Sequence, residues 1–163
     1  MPDDQYLEKI MREYGDSILR MCYLYLKDYH LAEDAVQETF IRAMKAHDSF
    51  KHESSEKTWL IRIAINCCKN IRRTKWFQLA QFSAQDYLQA DESNPIEDFL
   101  EKDSLSKAIM KLGVNDRQLI VLYYYQELSV KEIAKVVGKK ENAVIQGLDR
   151  ARKRLKKMIG ELE

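Results

Sequence analysis

Residues 129–155 read SVKEIAKVVGKKENAVIQGLDRARKRL. Ser129 with Glu132 three residues on is a capping box: each side chain satisfies a backbone N–H that the first helical turn leaves free. The box opens a short helix, VKEIAKVV, which Gly138 closes. A second helix follows after a brief turn, and short helix, Gly-containing turn, second helix is the helix-turn-helix layout. On the second helix Val144, Leu148, Ala151 and Leu155 fall four, three and four apart and form one buried stripe, against which Ile133, Ala134 and Val137 pack.

Asn142, Ile145, Gln146, Asp149 and Arg152 lie on the other faces of that second helix. A helix in the major groove uses its first turns for bases and its flanks for phosphates. Glutamine can bind adenine bidentately, and an apolar side chain can pack on a thymine methyl. Asn142, Ile145 and Gln146 are therefore candidate base readers. Arg150, Arg152 and Arg154, with Lys153, Lys156 and Lys157, are candidate phosphate contacts whose binding weakens steeply with salt. The competing explanation is a solvated basic face, or a helix whose uncharged first turn binds protein.

Outward from this stretch, composition sets the class. The chain has 163 residues, with only 5 Gly and 2 Pro and 45% hydrophobic residues, which favours helices over a sandwich or barrel. The net charge is +1, so any nucleic-acid partner must be announced by local charge. From Gln78 to Asp103 the acids are Asp86, Asp91, Glu92, Glu97, Asp98, Glu101 and Asp103, against a single base, Lys102. The middle of this segment lacks helical periodicity and ends at Pro95, which predicts a linker. The expectation is an all-α chain of two helical domains, residues 1–77 and 96–163, joined by an acidic linker over 78–95.

In the first domain, apolar spacing predicts helices over Tyr6–Tyr29, Leu31–Met44 and Thr58 to about Lys75, with a polar loop before the third. The second domain offers helices near 97–112, 116–126, 130–137 and 141–159. The third helix, WLIRIAINCCKNIRR (Trp59–Arg73), has a core stripe of Leu60, Ile63, Ala64, Cys67 and Ile71. Arg62, Asn66, Lys69, Arg72 and Arg73 line its remaining surface, with Trp59 before them and Trp76 and Phe77 after. A basic helix with aromatics suits single-stranded nucleic acid, because unstacked bases lie on rings while Lys and Arg hold the backbone. On the stripe alone, Trp59 reads as a core residue. The second helix, LAEDAVQETF (Leu31–Phe40), carries Glu33, Asp34, Gln37 and Glu38 on one polar face, either solvated or a docking surface for a basic partner.

Three cysteines, Cys22, Cys67 and Cys68, make no disulfide framework, and the three histidines have no ligand spacing, so no metal or cofactor is expected. Cys67 reads as core and Cys68 as a surface or partly buried position. Tyr123–Tyr125 cannot share one helix face, and a core role is the expectation for one or two of them. No nucleophilic set, phosphate loop or carboxylate pair suggests catalysis, and no small-molecule substrate is implied. The acidic N-terminus lacks a signal-peptide core and no apolar run reaches the ~18 residues of a membrane span. A reduced, cytoplasmic setting follows.

AEDAVQETF, then WLIRIAINCCKNIRR, then an acidic linker, then LSVKEIAKVVGKKENAVIQGLDRARKRL closely resembles the extracytoplasmic-function family of bacterial sigma factors. The resemblance covers nearly the whole chain except the linker. It implies a protein that binds core RNA polymerase at its clamp coiled coil and flap, directs it to promoter DNA and helps open the strands. It implies clamp docking through Asp34, Gln37 and Glu38. It gives the minus-10 element to Lys57, Trp59, Arg62, Asn66, Lys69, Arg72 and Arg73, with the loop at about Asp48 to Lys57 capturing an unpaired base at a cost of a few kcal/mol for unstacking. Asn142, Ile145, Gln146, Arg150, Arg152 and Arg154 would serve the minus-35 element, and the acidic linker would thread near the RNA exit path. A membrane-anchored anti-sigma factor is the implied regulator. The family's recognition helix usually continues after valine with Lys, Ser and Arg, where this chain has Ile145, Gln146 and Gly147. Lys140 and Asn70 also depart from the usual residues. The rival readings are a stand-alone duplex-binding regulator, which leaves the first-domain motifs without purpose, and a helical interaction protein, which predicts no DNA contact.

Overall fold

The computed structural model describes residues 4–81 and 104–162, and every regular element among them is helical, as expected. Three long helices come first: α1 (Asp4–Leu26), α2 (Tyr29–Ala46) and α3 (Glu56–Gln81). The second unit contains α4 (Ser104–Lys111), α5 (Val114–Ile120), α6 (Val130–Val137) and α7 (Glu141–Leu162). A 3₁₀ turn covers His47–Ser49, and a π-helical turn at Val121–Tyr125 continues α5. The acidic linker from residue 82 on, the expected helix start at 97–103 and the side chains of Trp76 and Phe77 lie outside the described residues.

Local chemistry corrects several boundaries. The first helix stops at Leu26, short of the expected Tyr29. Lys27 takes the left-handed conformation (φ 61°) and returns its N–H to the Tyr23 carbonyl at 2.7 Å. Asp28 then caps α2, its carboxylate accepting the Leu31 N–H at 3.0 Å. In the same way the Ser55 hydroxyl accepts the Thr58 N–H at 3.1 Å, so α3 begins at Glu56. Its far end runs to Gln81, past residue 77. The capping box at Ser129 and Glu132 forms as read, and Gly138 closes α6 at φ 69°.

α1, α2 and α3 pack on one another around Ile10, Ile18, Met21, Phe40, Leu60 and Ile65. α3 is buried over a broader surface than the expected stripe. Ile61, Ile65 and Cys68 are buried with Leu60, Ala64 and Cys67, while Ile63 and Ile71 are only partly buried. α3 packs on α6 of the second unit as well as on α1 and α2, and Cys68 lies against Cys22 of α1. Cys68 is therefore core, against the surface or partly buried position expected. All three thiols are buried, and Cys22 is pushed well up, first by its hydrogen bond with Cys68 and then by burial. The tyrosine expectation also changes. Val121 and Leu122 take the core positions, Tyr123 is half-buried, and Tyr124 and Tyr125 are exposed. The π-turn, closed by the Gln126 N–H on the Val121 carbonyl, shifts the three rings around the axis.

The two units meet through the packing of α3 on α6 and through a set of polar contacts. Arg117 of α5 is 5% exposed. Its guanidinium donates to the carbonyls of Leu24 (2.5 Å), Tyr25 (2.5 Å) and Leu112 (2.6 Å). Leu24 and Tyr25 lie in the last turn of α1, where carbonyls have no intrahelical partner and the helix dipole favours a cation. Arg117 thus caps α1 from the other unit. Burial lowers its pKa to about 10, so it stays charged at neutral pH. Around it Gln126, also buried, accepts from the Ser17 hydroxyl (3.0 Å) and donates to the Ser17 carbonyl (3.2 Å), and Lys57 donates to the Gln126 carbonyl (2.9 Å).

Candidate nucleic-acid interface

The loop before α3 is built around aromatic rings. Phe50 lies against Trp59 (centroids 4.5 Å apart) and against His52 (4.4 Å), and His52 holds φ 56°. Trp59 is partly buried against the core, as its stripe position suggested, yet its ring also faces a cleft. Phe50, Lys51, Trp59 and Arg62 form one side of that cleft, and Lys135 and Val136 of α6 line it from the second unit. The first wall offers apolar faces and two cations, the chemistry that holds an unstacked base and its phosphate.

From this cleft Arg62, Asn66, Lys69 and Arg73 continue along α3 at spacings of four, three and four, a single stripe. Arg62, Asn66 and Arg73 are exposed. Arg73 donates to the Asn70 carboxamide at 3.1 Å, so Asn70 steadies a neighbour. Lys69 is half-buried, and burial together with the nearby Lys139 lowers its pKa. Arg72 stands a quarter-turn away, within electrostatic reach of Tyr25 and Arg117, apart from the stripe. Lys57 is committed to Gln126.

On α2, Ala32, Ala35, Thr39, Phe40 and Ala43 are buried. Asp34 and Gln37 project outward, and Glu38 holds Arg42 at 2.8 Å. Ile41 stands beside these three on the same face and is 42% exposed. Sequence reading passed over it, although an isoleucine three and four residues beyond two polar positions on a polar face was the available signal.

α7 buries Val144, Gly147, Leu148, Ala151 and Leu155. Asn142 and Gln146 point away from that face, with Asp149, Arg150 and Lys153 following them and Ile145 beside them, 46% exposed. Gly147 has a packing role: a Cβ there would lie 2.5 Å from the Leu119 Cδ1 of α5. Two of the expected phosphate contacts have partners within the chain. Arg152 donates to the Tyr124 hydroxyl at 2.8 Å and lies 5.0 Å over the Tyr123 ring. Arg154 pairs with the buried carboxylate of Asp116. No cluster of metal-ligating side chains occurs among the described residues.

An acidic-faced α2, a basic α3 opening on an aromatic loop, and a helix-turn-helix make a combination that known proteins share. Residues 10–78 match sigma-70 region 2, and residues 102–155 match sigma-70 region 4. RNA polymerase sigma factor YlaC of Bacillus subtilis is 33% identical over 158 residues, spanning 93% of this chain and 90% of the relative. The ECF RNA polymerase sigma factor SigW of the same organism is 31% identical, over 98% of this chain and 92% of SigW. The chain belongs to the ECF sigma factors. As a member it is an alternative sigma factor, directing promoter-specific transcription initiation. The sigma factor also shares its fold with solved structures. The sigma factor RpoE of Bartonella quintana, crystallised with the anti-sigma factor NepR, superposes with a TM-score of 0.79 at 21% identity, covering 94% of this chain and 96% of RpoE. CnrH in complex with the cytosolic domain of CnrY gives 0.69 at 22%, covering 98% and 90%. No helix among the described residues of the sigma factor is long and apolar enough to cross a membrane.

Proposed function

We propose that this sigma factor docks on the core polymerase clamp through α2, takes the opened minus-10 strand along α3 and reads the minus-35 duplex with α7. The observation that carries the reading is the continuous Arg62, Asn66, Lys69, Arg73 stripe leading from the Phe50–Trp59 cleft. A flipped base stacks in the cleft while the stripe follows the backbone. On α2, Asp34, Gln37 and Glu38 supply the polar contacts to the clamp, and Ile41 adds an apolar one beside them. On α7, Asn142, Ile145 and Gln146 face the bases, and Arg150 with Lys153 hold phosphates, with Arg152 and Arg154 at the flanks. An additional flap contact falls to the second unit. The sigma factor acts in the bacterial cytoplasm without catalysing a reaction itself. Its regulator is an anti-sigma factor, as RpoE and CnrH are crystallised with NepR and CnrY, and we take it to be membrane-anchored.

Reconstituted transcription tests this. Purified chain and bacterial core polymerase are given a library of promoter-length duplexes, and transcript starts are sequenced. Specific starts that vanish without the chain are the expected result and yield both promoter elements. A chain that does not bind polymerase returns the reading to a stand-alone duplex-binding regulator.

A further inference from the structure

We infer that the contact between the two units is an autoinhibitory lock, in which the second unit covers the minus-10 site of the first and Arg117 is the bolt. The inference rests on the proposed function of α3. The cleft assigned to the captured base has α6 as its far wall, through Lys135 and Val136. Lys135 reaches the Glu53 carbonyl at 3.4 Å, across the loop that would receive the base. At the N-terminus of α3, Thr58 donates to Glu132 of α6 at 2.8 Å, and Lys57 is held by the Gln126 carbonyl. A base entering the cleft therefore meets α6 opposite Arg62, the first residue of the stripe, while Asn66 and Arg73 farther along α3 stay exposed. The outward face of α7, with Asn142 and Gln146, stays exposed in the same arrangement. The lock thus covers the base cleft of the minus-10 site, leaving the outer residues of the α3 stripe and the whole reading face of α7 exposed.

Geometry requires that the contact break during function. Elements at minus 10 and minus 35 lie roughly 25 base pairs apart, about 85 Å at ~3.4 Å per pair. Units joined by hydrogen bonds at the ends of α1 and α3 cannot lie on both elements together. The junction is also built to be reversible. Ser17, Lys57, Thr58, Gln126 and Glu132 are polar groups that water satisfies once the units part. Arg117 leaves a buried site with no carboxylate among its hydrogen-bond partners for solvent, where its charge is better hydrated.

The test compares three full-length chains: wild type, Arg117→Met and Ser17→Arg. The second variant places a bulky cation on the exposed face of α1 against Gln126 and replaces no core residue, which guards against misfolding of Arg117→Met. Small-angle X-ray scattering reads the opening. Fluorescence anisotropy with a random-sequence single-stranded DNA pool reads the minus-10 site, and the same pool as duplex is the control. An open form populated at about one part in ten weakens apparent strand affinity about tenfold. The expected result is a larger radius of gyration in the variants, strand binding about tenfold tighter, and duplex binding unchanged. Variants as compact as wild type, or expanded variants with wild-type strand affinity, overturn the lock. Sigma activity is read separately in the transcription assay. Loss of specific starts with the scattering and strand results as expected counts against the proposed function and leaves the lock standing.

Discussion

Single residues decide how the recognition unit holds its shape. Gly147 looks like a liability in the middle of α7, since glycine costs a helix about 1 kcal/mol relative to alanine. The approach of Leu119 accounts for it, because a methyl group at 2.5 Å forces the buried Leu119 side chain out of place. Overpacking costs about 1–3 kcal/mol, more than the helix propensity gained. Gly147→Ala is expected to lower stability by about 1 kcal/mol, read as a lower urea midpoint, and a stabilised variant would show that Leu119 yields freely. Ser129 and Glu132 give a second case. Ser129→Ala is expected to cost about 1 kcal/mol through the missing cap. The Glu132 carboxylate is held below the usual glutamate range, first by the Ser129 N–H and then by the Thr58 hydroxyl. A depressed carboxylate contributes its full stability above the unfolded value, about 4.3, and loses it as pH falls through the folded value. The gap in urea midpoint between wild type and Glu132→Gln should stay constant from neutral pH to about 5 and close below about 4. The cap was legible because Ser and Glu stand three apart. The Gly147 packing was not, since Leu119 is twenty-eight residues away and no periodicity names the pair.

At the scale of an element, each helix face separates partners that the sequence runs together. Periodicity placed Asn142 and Gln146 on the outer face of α7, and the structure keeps them there. It treated the run of bases after them as equivalent, which the structure does not. Arg154 faces Asp116 and Arg152 faces Tyr123 and Tyr124, while Lys153 lies in line with Gln146 and Arg150. Removing one lysine that holds a phosphate lowers the salt slope of duplex binding by about 1. Lys153→Ala should produce that change, whereas Arg154→Ala should act mainly on stability through the stranded carboxylate of Asp116. Equal salt slopes for the two variants would refute the distinction. Gln146→Ala should relax preference at one or two base pairs without changing the slope. On α2 the polar face was readable, but Ile41 at its C-terminal end was not assigned, although its spacing of three and four from Glu38 and Gln37 put it on that face. Apolar anchors within a polar rim carry much of an interface's affinity. Ile41→Glu is expected to weaken binding to core polymerase by on the order of 2 kcal/mol, with helix content by circular dichroism unchanged.

The whole molecule holds what no single helix pattern announces. Two domains were legible from two blocks of helical periodicity and the acidic stretch between them, and the contact between the blocks was not. Hydrophobic stripes report that a face is buried but not which helix buries it. α3 packs on α6 as well as on α1 and α2, and its own apolar pattern does not name α6. Arg117 reads as one more base in a charged chain, and only the carbonyls of Leu24 and Tyr25 around it reveal its place. That arrangement has a consequence for unfolding. α1 ends on a cap supplied by α5, and α3 leans on α6, so opening either unit exposes polar groups and apolar surface of the other. Structures coupled in this way unfold as one cooperative unit, and they separate into independent transitions when the coupling is removed. Calorimetry of the wild-type chain should therefore show one transition with matching calorimetric and van't Hoff enthalpies. Ser17→Arg, which disturbs only the junction, should split it into two, each with an enthalpy fitting a unit of its size. Two transitions already present in the wild type would mean that the junction contributes too little to couple the units. A single transition retained in Ser17→Arg would show that the variant leaves the units coupled, against the opening expected of it.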